Sequence, residues 1–188
     1  MGYLKRKADL FLQAWKRDPD RYPLIIKGAR QVGKTETIRR FAAENYAQLI
    51  EINFITEPVY KTIIEEGFSA DSITKLISRI DPSKKFRPGE TLIFFDEIQD
   101  FPEIATSLKF FREDGRYDVI CSGSLLGVQY HRIASISVGY KMDYQMYSMD
   151  FEEFLWAKGY AANVIDDMLQ HMLSETAFST TEHTMYST

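Results

Sequence analysis

Cysteine is almost missing from this sequence: of 188 residues, only Cys121 carries a thiol. That excludes an internal disulfide framework and suits a reducing compartment. Its setting, Tyr117-Asp118-Val119-Ile120-Cys121, reads as the end of a buried strand, where a lone thiol serves as a small packed hydrophobe. Long apolar runs are missing too, and none approaches the roughly 20 residues that a bilayer-spanning helix needs. Met1 to Trp15 mixes Lys5, Arg6, Lys7 and Asp9 with apolar residues, so it lacks the continuous apolar core of an export signal. Met1-Gly2 does not continue into a lipid-attachment motif, because Arg6 stands where Ser or Thr is wanted. His131, His171 and His183 do not converge in spacing with one another or with Cys121, which speaks against a metal centre built from side chains. These gaps lead to the expectation of a soluble, cytoplasmic chain with no membrane association.

What is present is ordinary for a globular protein: 45% hydrophobic and 27% charged residues, enough chain for one domain with a full core. The net charge of −4 is unevenly spread. Residues 1–40 hold 11 Lys and Arg against 4 Asp and Glu, whereas residues 141–188 hold 2 against 8. A basic N-terminal third admits contact with nucleic acid through Lys5, Arg6, Lys7, Lys16 and Arg17, or through Lys84, Lys85 and Arg87. The competing reading is that these charges serve an anion site and solvate a helix, which an acidic pI near 5.5 favours.

Periodicity divides the chain into alternating elements. Leu4, Ala8, Phe11, Leu12 and Trp15 recur at helical spacing, predicting a helix over 3–17 that Asp18-Pro19-Asp20 ends. Leu24 to Lys27 is a short apolar strand stopping at Gly28, and residues 34–43 return to helical spacing with Ile38 and Phe41 inward. Strands are expected at 49–54, 91–95, 117–121 and 141–148, and helical segments near 57–66, 71–80 and 102–113 and around Phe151 to Trp156. Apolar strands alternating with helices predict an α/β fold, a three-layer α/β/α arrangement around a mainly parallel sheet with a short helical C-terminal segment. Residues 176–188 hold seven Ser and Thr with little apolar periodicity, and read as a frayed tail or a truncation point.

The sharpest signal is Gly28-Ala29-Arg30-Gln31-Val32-Gly33-Lys34-Thr35, which fits G-x-x-x-x-G-K-[ST] at every fixed position, between a predicted strand and a predicted helix. A loop that wraps phosphate with successive backbone N–H groups needs glycine where it turns and where it approaches closely. The following helix aims the positive end of its dipole at the same anion. Residues Gly28 to Glu36 are thus the candidate nucleotide-binding segment, with Lys34 supplying a charge for the β- and γ-phosphates and Thr35 a hydroxyl for Mg²⁺.

The strand Leu92-Ile93-Phe94-Phe95 ends at Asp96-Glu97. Carboxylates at the C-terminal end of a buried parallel strand lie on the ligand-binding edge of an α/β sheet. Asp96 is the candidate Mg²⁺ partner and Glu97 the candidate general base. The next strand closes with Ser122-Gly123-Ser124, and a hydroxyl from either Ser122 or Ser124 could bond the attacking water or the γ-phosphate. Neither N-K-x-D nor a following D-x-x-G occurs, which argues against a GTPase, and adjacent Asp96-Glu97 suits water activation better than transfer to a bound acceptor.

These elements in this order resemble the AAA+ superfamily of P-loop ATPases. Together with Phe94-Phe95-Asp96-Glu97-Ile98-Gln99, the segment Met149-Asp150-Phe151-Glu152-Glu153-Phe154-Leu155 is more specifically similar to a prokaryotic group in which the AAA domain precedes a C-terminal domain of uncharacterised function, the DUF4143-type ATPases. The resemblance implies an AAA-type nucleotide-binding domain over 1–150, the start of a helical lid or linker over 151–175, and a partner domain beyond. It implies ATP and Mg²⁺ as ligands, Lys34, Thr35, Asp96 and Glu97 at the hydrolytic site, and Ser122 or Ser124 in the sensor role. It also implies an arginine supplied across a homo-oligomer; Arg112 and Arg116 are the candidates, and hydrolysis by the isolated chain is expected to be slow. The alternative is a nucleotide-gated binding module that signals through conformation with negligible hydrolysis.

Overall fold

The computed structural model describes residues 4–124 and 139–174. These fall into two compact units, one spanning Ala8–Ser148 and the other joining the described residues of Met1–Lys7 to those of Met149–Thr188.

The larger unit is built on five strands, β1 (Leu24–Lys27), β2 (Gln48–Asn53), β3 (Thr91–Asp96), β4 (Asp118–Gly123) and β5 (Met142–Gln145). They form one sheet in the order β2-β3-β4-β1-β5, and every pairing is parallel. Strand side chains alternate between faces, and the apolar runs therefore split cleanly into two cores. Ile25, Ile50, Ile52, Ile93, Phe95, Val119 and Cys121 face one side with Ile73 and Ile77 of α3 (Ala70–Ile80) and Leu108 and Phe111 of α4 (Ser107–Asp114). Leu24, Ile26, Leu92, Phe94 and Ile120 face the other with Leu12 and Trp15 of α1 (Lys7–Arg17) and Ile38 and Phe41 of α2 (Lys34–Asn45). This is the expected α/β/α layering, and all six residues of β3 are buried, as a central parallel strand requires.

Two expected helices are shorter than their apolar spacing suggested. Residues Pro58–Ile64 and Pro102–Thr106 wind as 3-10 turns, each opened by a proline in its first turn. Proline withholds a backbone donor and favours a tight entry, so the α-helix forms only beyond it, at Ser107 in the second case.

Parallel pairing puts the C-terminal ends of all five strands on one edge of the sheet. Asn53 lies opposite Asp96 in register, and Lys27 opposite Gly123. The loops leaving β1, β3 and β4 therefore gather at that edge, whereas α4 runs back and delivers Arg112 and Arg116 to the other.

The smaller unit contains α5 (Phe151–Lys158) and α6 (Ala162–Ser174). Asp150 caps α5: its carboxylate accepts from the Glu153 N–H, and the Glu153 side chain accepts from the Asp150 N–H. The uneven charge noted above meets here, with the Arg6 Nε 3.1 Å from Glu153 and the Lys7 ammonium 2.7 Å from both Asp150 and Glu152. Lys5 lies over the Trp156 ring. In the larger unit Lys16 pairs with Asp118 at 2.9 Å. Four of the five N-terminal basic residues read as a nucleic-acid contact thus have partners within the chain. The 176–188 tail lies outside the described residues, as do His131 and His183. No helix among the described residues is long and apolar enough to cross a membrane.

Candidate functional site

The segment between β1 and α2 wraps tightly around its own lysine. The Lys34 ammonium donates to the Gly28 carbonyl at 3.0 Å and the Ala29 carbonyl at 2.7 Å. Lys34 is 7% exposed, and burial pushes its pKa down while the carboxylates of Glu97 and Asp96 oppose the shift. The two glycines of the segment are required for different reasons. Gly33 opens α2 at φ 98, a left-handed backbone that a side chain disfavours. At Gly28 the constraint is contact, because a Cβ there would sit 2.2 Å from the Met146 carbonyl oxygen. Gln31 holds φ 63, one of only two non-glycine positive φ angles among the described residues; the other is Glu97. Such strain clusters where a loop is held for a purpose. Val32 turns its side chain into the core, so only its main chain faces the loop.

Asp96 is 4% exposed, and a carboxylate buried that deeply at the end of an apolar strand must be compensated. Four donors converge on it. Ser122 Oγ and the Glu97 N–H donate to Oδ1, the latter at 3.0 Å. Thr35 Oγ1 at 3.1 Å and Asn53 Nδ2 at 3.2 Å donate to Oδ2. Three strands and α2 thus meet at one carboxylate. The hydroxyl and carboxylate oxygens of Thr35 and Asp96 are hard donors in direct contact, the ligand chemistry that Mg²⁺ prefers.

Beside them opens a cleft of about 610 Å³, lined by Arg30, Gln31, Gly33, Lys34, Thr35, Glu36, Arg39, Ile55 and Glu97. Glu36 lies in the first turn of α2, and Arg39 is turned aside into a bidentate pair with Glu51. Sequence reasoning left Ser122 and Ser124 equivalent, but the fold separates them. Ser122 Oγ is committed to Asp96, whereas Ser124 Oγ is buried without a hydrogen-bond partner among the described residues.

Arg112 and Arg116 are not brought to this edge. Arg112 lies at the opposite end of the sheet, 4.0 Å from Asp20 and with its guanidinium over the Tyr22 ring. Arg116 is held by Asp114 and Asp71. Asn53 was missed altogether: an asparagine ending a strand has no spacing signal, and only the β2–β3 register discloses its contact with Asp96.

A family model described as an AAA domain matches residues 20–155. No curated protein matches the sequence. Among solved structures, the match to C. elegans PCH-2 has 11% identity and a TM-score of 0.48, covering 96% of this chain and 50% of that one. The chain thus spans half the length of that relative. The match to Drosophila ORC bound to DNA has 9% identity and a TM-score of 0.45, covering 74% of this chain and 89% of that one.

Proposed function

The chain belongs to the AAA domain family, and from that premise we propose that it binds ATP as its Mg²⁺ complex and hydrolyses it to ADP and phosphate. The observation that carries this reading is the convergence of Thr35, Asn53 and Ser122 on the buried carboxylate of Asp96, beside a cleft that Lys34 and Glu97 line. Gly28, Ala29, Arg30, Gln31, Val32 and Gly33 offer main-chain N–H groups to the phosphates, and Glu36 flanks them. Lys34 exchanges two carbonyl acceptors for phosphate oxygens. Thr35 and Asp96 would hold Mg²⁺, which when bound would supply positive charge to offset that of the phosphates.

Glu97 takes the proton of a water as its oxygen bonds to the γ-phosphorus; the bond to the β–γ bridging oxygen breaks, and that oxygen leaves with the electron pair as ADP. Ser124 is the sensor hydroxyl in this reading, since its Oγ is the uncommitted one. An arginine from a second copy completes the charge stabilisation. Arg112, held by a 4.0 Å pair with an exposed acid and by the Tyr22 ring, is less tightly bound than Arg116, which meets two carboxylates at close range. Turnover of one isolated copy is then slow, and phosphate release rises faster than linearly with protein concentration. Residues 1–150 act as the nucleotide-binding domain and 151–175 as the start of a helical lid. The capped helix at Asp150 supports membership of the DUF4143-type group, whose C-terminal domain would be the partner.

A second reading, the gated binding module, is favoured by the absence of arginine from residues 151–174, where a lid arginine would lie. Glu97→Gln separates the two. Hydrolysis predicts about 10²-fold slower phosphate release and a longer-lived ATP complex in the variant. Equal ATP lifetimes in wild type and variant would assign the module instead.

A further inference from the structure

Gln99 takes no part in the chemistry above, yet its side chain joins the two elements on which that chemistry depends. Glu97 leaves β3 in a left-handed conformation, φ 57 and ψ 45, and leads straight into the 3-10 turn Ile98–Asp100. Ile98 is fully buried and anchors that turn. From it the Gln99 amide reaches in two directions. Its Oε1 accepts the N–H of Ser124 at 3.1 Å, and its Nε2 donates to Glu97 Oε2. The other carboxylate oxygen of Glu97 has no hydrogen-bond partner among the described residues.

A glutamate side chain left to itself samples several rotamers, and fixing it costs conformational entropy. A donor bonded to one carboxylate oxygen removes that freedom in advance and leaves the second oxygen able to take a proton. A primary amide does this while its carbonyl reads the position of a neighbouring strand, because donor and acceptor sit in one rigid plane. Resting on the hydrolytic reading, we propose that Gln99 is a positioning residue: its amide holds Glu97 by one oxygen, aims the other at the attacking water, and registers both against the Ser124 end of β4.

Gln99→Ala removes both contacts. Gln99→Glu keeps an acceptor for the Ser124 N–H but replaces the donor facing Glu97 with a like charge. In the full chain both variants bind a fluorescent ATP analogue with Mg²⁺ within about two-fold of wild type, and melt near the wild-type temperature. Both release phosphate at least about ten-fold more slowly, the loss expected when a reacting group is no longer oriented. In a Glu97→Gln background Gln99→Ala adds nothing further, because a positioning group has nothing left to position.

Wild-type release from either Gln99 variant overturns the proposal, and wild-type release from Gln99→Glu alone would leave the Ser124 tie as the whole effect. Loss of binding and melting temperature in both variants overturns it in favour of a structural role, as does additive slowing in the double variant. Failure of the hydrolytic reading has a separate signature: wild type releases no phosphate, or releases it as fast as Glu97→Gln, and both ideas then fall together.

Discussion

Replacing Gly28 with alanine places a methyl group where the structure holds a backbone oxygen. The added Cβ would sit 2.2 Å from the Met146 carbonyl oxygen and 3.2 Å from its carbon, and real Cβ atoms essentially never approach within 3.0 Å. The oxygen must therefore retreat by about 0.8 Å, the difference between those two distances. It is poorly placed to do so. The Met146 N–H donates to the Lys27 carbonyl at 2.7 Å, and the Met146 side chain is buried against the core. Gly28 does not hold a positive φ, so the penalty is contact rather than backbone strain. Overpacking of this kind costs about 1–3 kcal/mol. The reduced freedom of the unfolded chain returns up to about 1 kcal/mol. At this chain length a net loss of about 1–2 kcal/mol lowers the melting temperature by about 2–8 °C.

Gly89→Ala is the matched control, with φ 75 and nothing within 4 Å of its added Cβ. It carries a backbone penalty of about 1–2 kcal/mol but leaves the Gly28–Glu36 segment untouched. Thermal melts and titration with Mg²⁺ and an ATP analogue should show both variants destabilised and only Gly28→Ala weakened in binding. A Gly28→Ala protein that melts within about 1 °C of wild type and binds equally well would contradict the close approach of the Met146 carbonyl to Gly28.

Asp118 accepts from Arg21, Lys16 and Tyr46, and Asp118→Ala should lose about 2–4 kcal/mol in urea unfolding at neutral pH. Burial alone would raise the Asp118 carboxyl, but the hydrogen bonds from Arg21, Tyr46 and Lys16 hold it below the usual carboxylate range. The unfolded chain, with an ordinary value of about 3.9, then binds the extra proton first. This contribution is complete above about pH 4 and is lost as pH falls through the lower native value, so wild type should show a steeper acid loss of stability than Asp118→Asn. Cys121 is fully buried, and burial pushes its thiol well above the ordinary range. Its alkylation should track unfolding and be negligible in the native state; rapid native labelling would contradict the placement of β4.

The candidate site was legible in sequence where the proposed chemistry demands fixed local spacing. The eight residues from Gly28 to Thr35 must lie contiguously to wrap an anion, and Asp96-Glu97 must end an apolar strand to reach the ligand edge. The fold was readable because every second strand residue faces the same core, so Leu92 and Phe94 part from Ile93 and Phe95. What escaped depends on contacts between distant segments. Asn53 meets Asp96 only through strand register, and Gln99 reaches Ser124 across 25 residues. Arg112 and Arg116 were expected to serve a neighbouring copy, a role that one chain's own contacts leave open. The helix carrying them returns antiparallel to the strands and delivers its end to the edge away from Asp96. The basic bias of residues 1–40 admitted nucleic acid but favoured an anion site and a solvated helix, and Arg6, Lys7 and Lys16 meet carboxylates of the chain itself.

The most direct test of nucleotide hydrolysis at this edge compares wild type with Lys34→Ala. Binding of an ATP analogue with Mg²⁺ and release of phosphate are followed over a series of protein concentrations. Wild type should bind and release phosphate faster than linearly with protein concentration. Lys34→Ala, lacking the one ammonium buried in the phosphate segment, should lose binding by at least about ten-fold, the loss of one charge-assisted bond. Equal binding by the two proteins, or none by wild type, would contradict the assignment of the site.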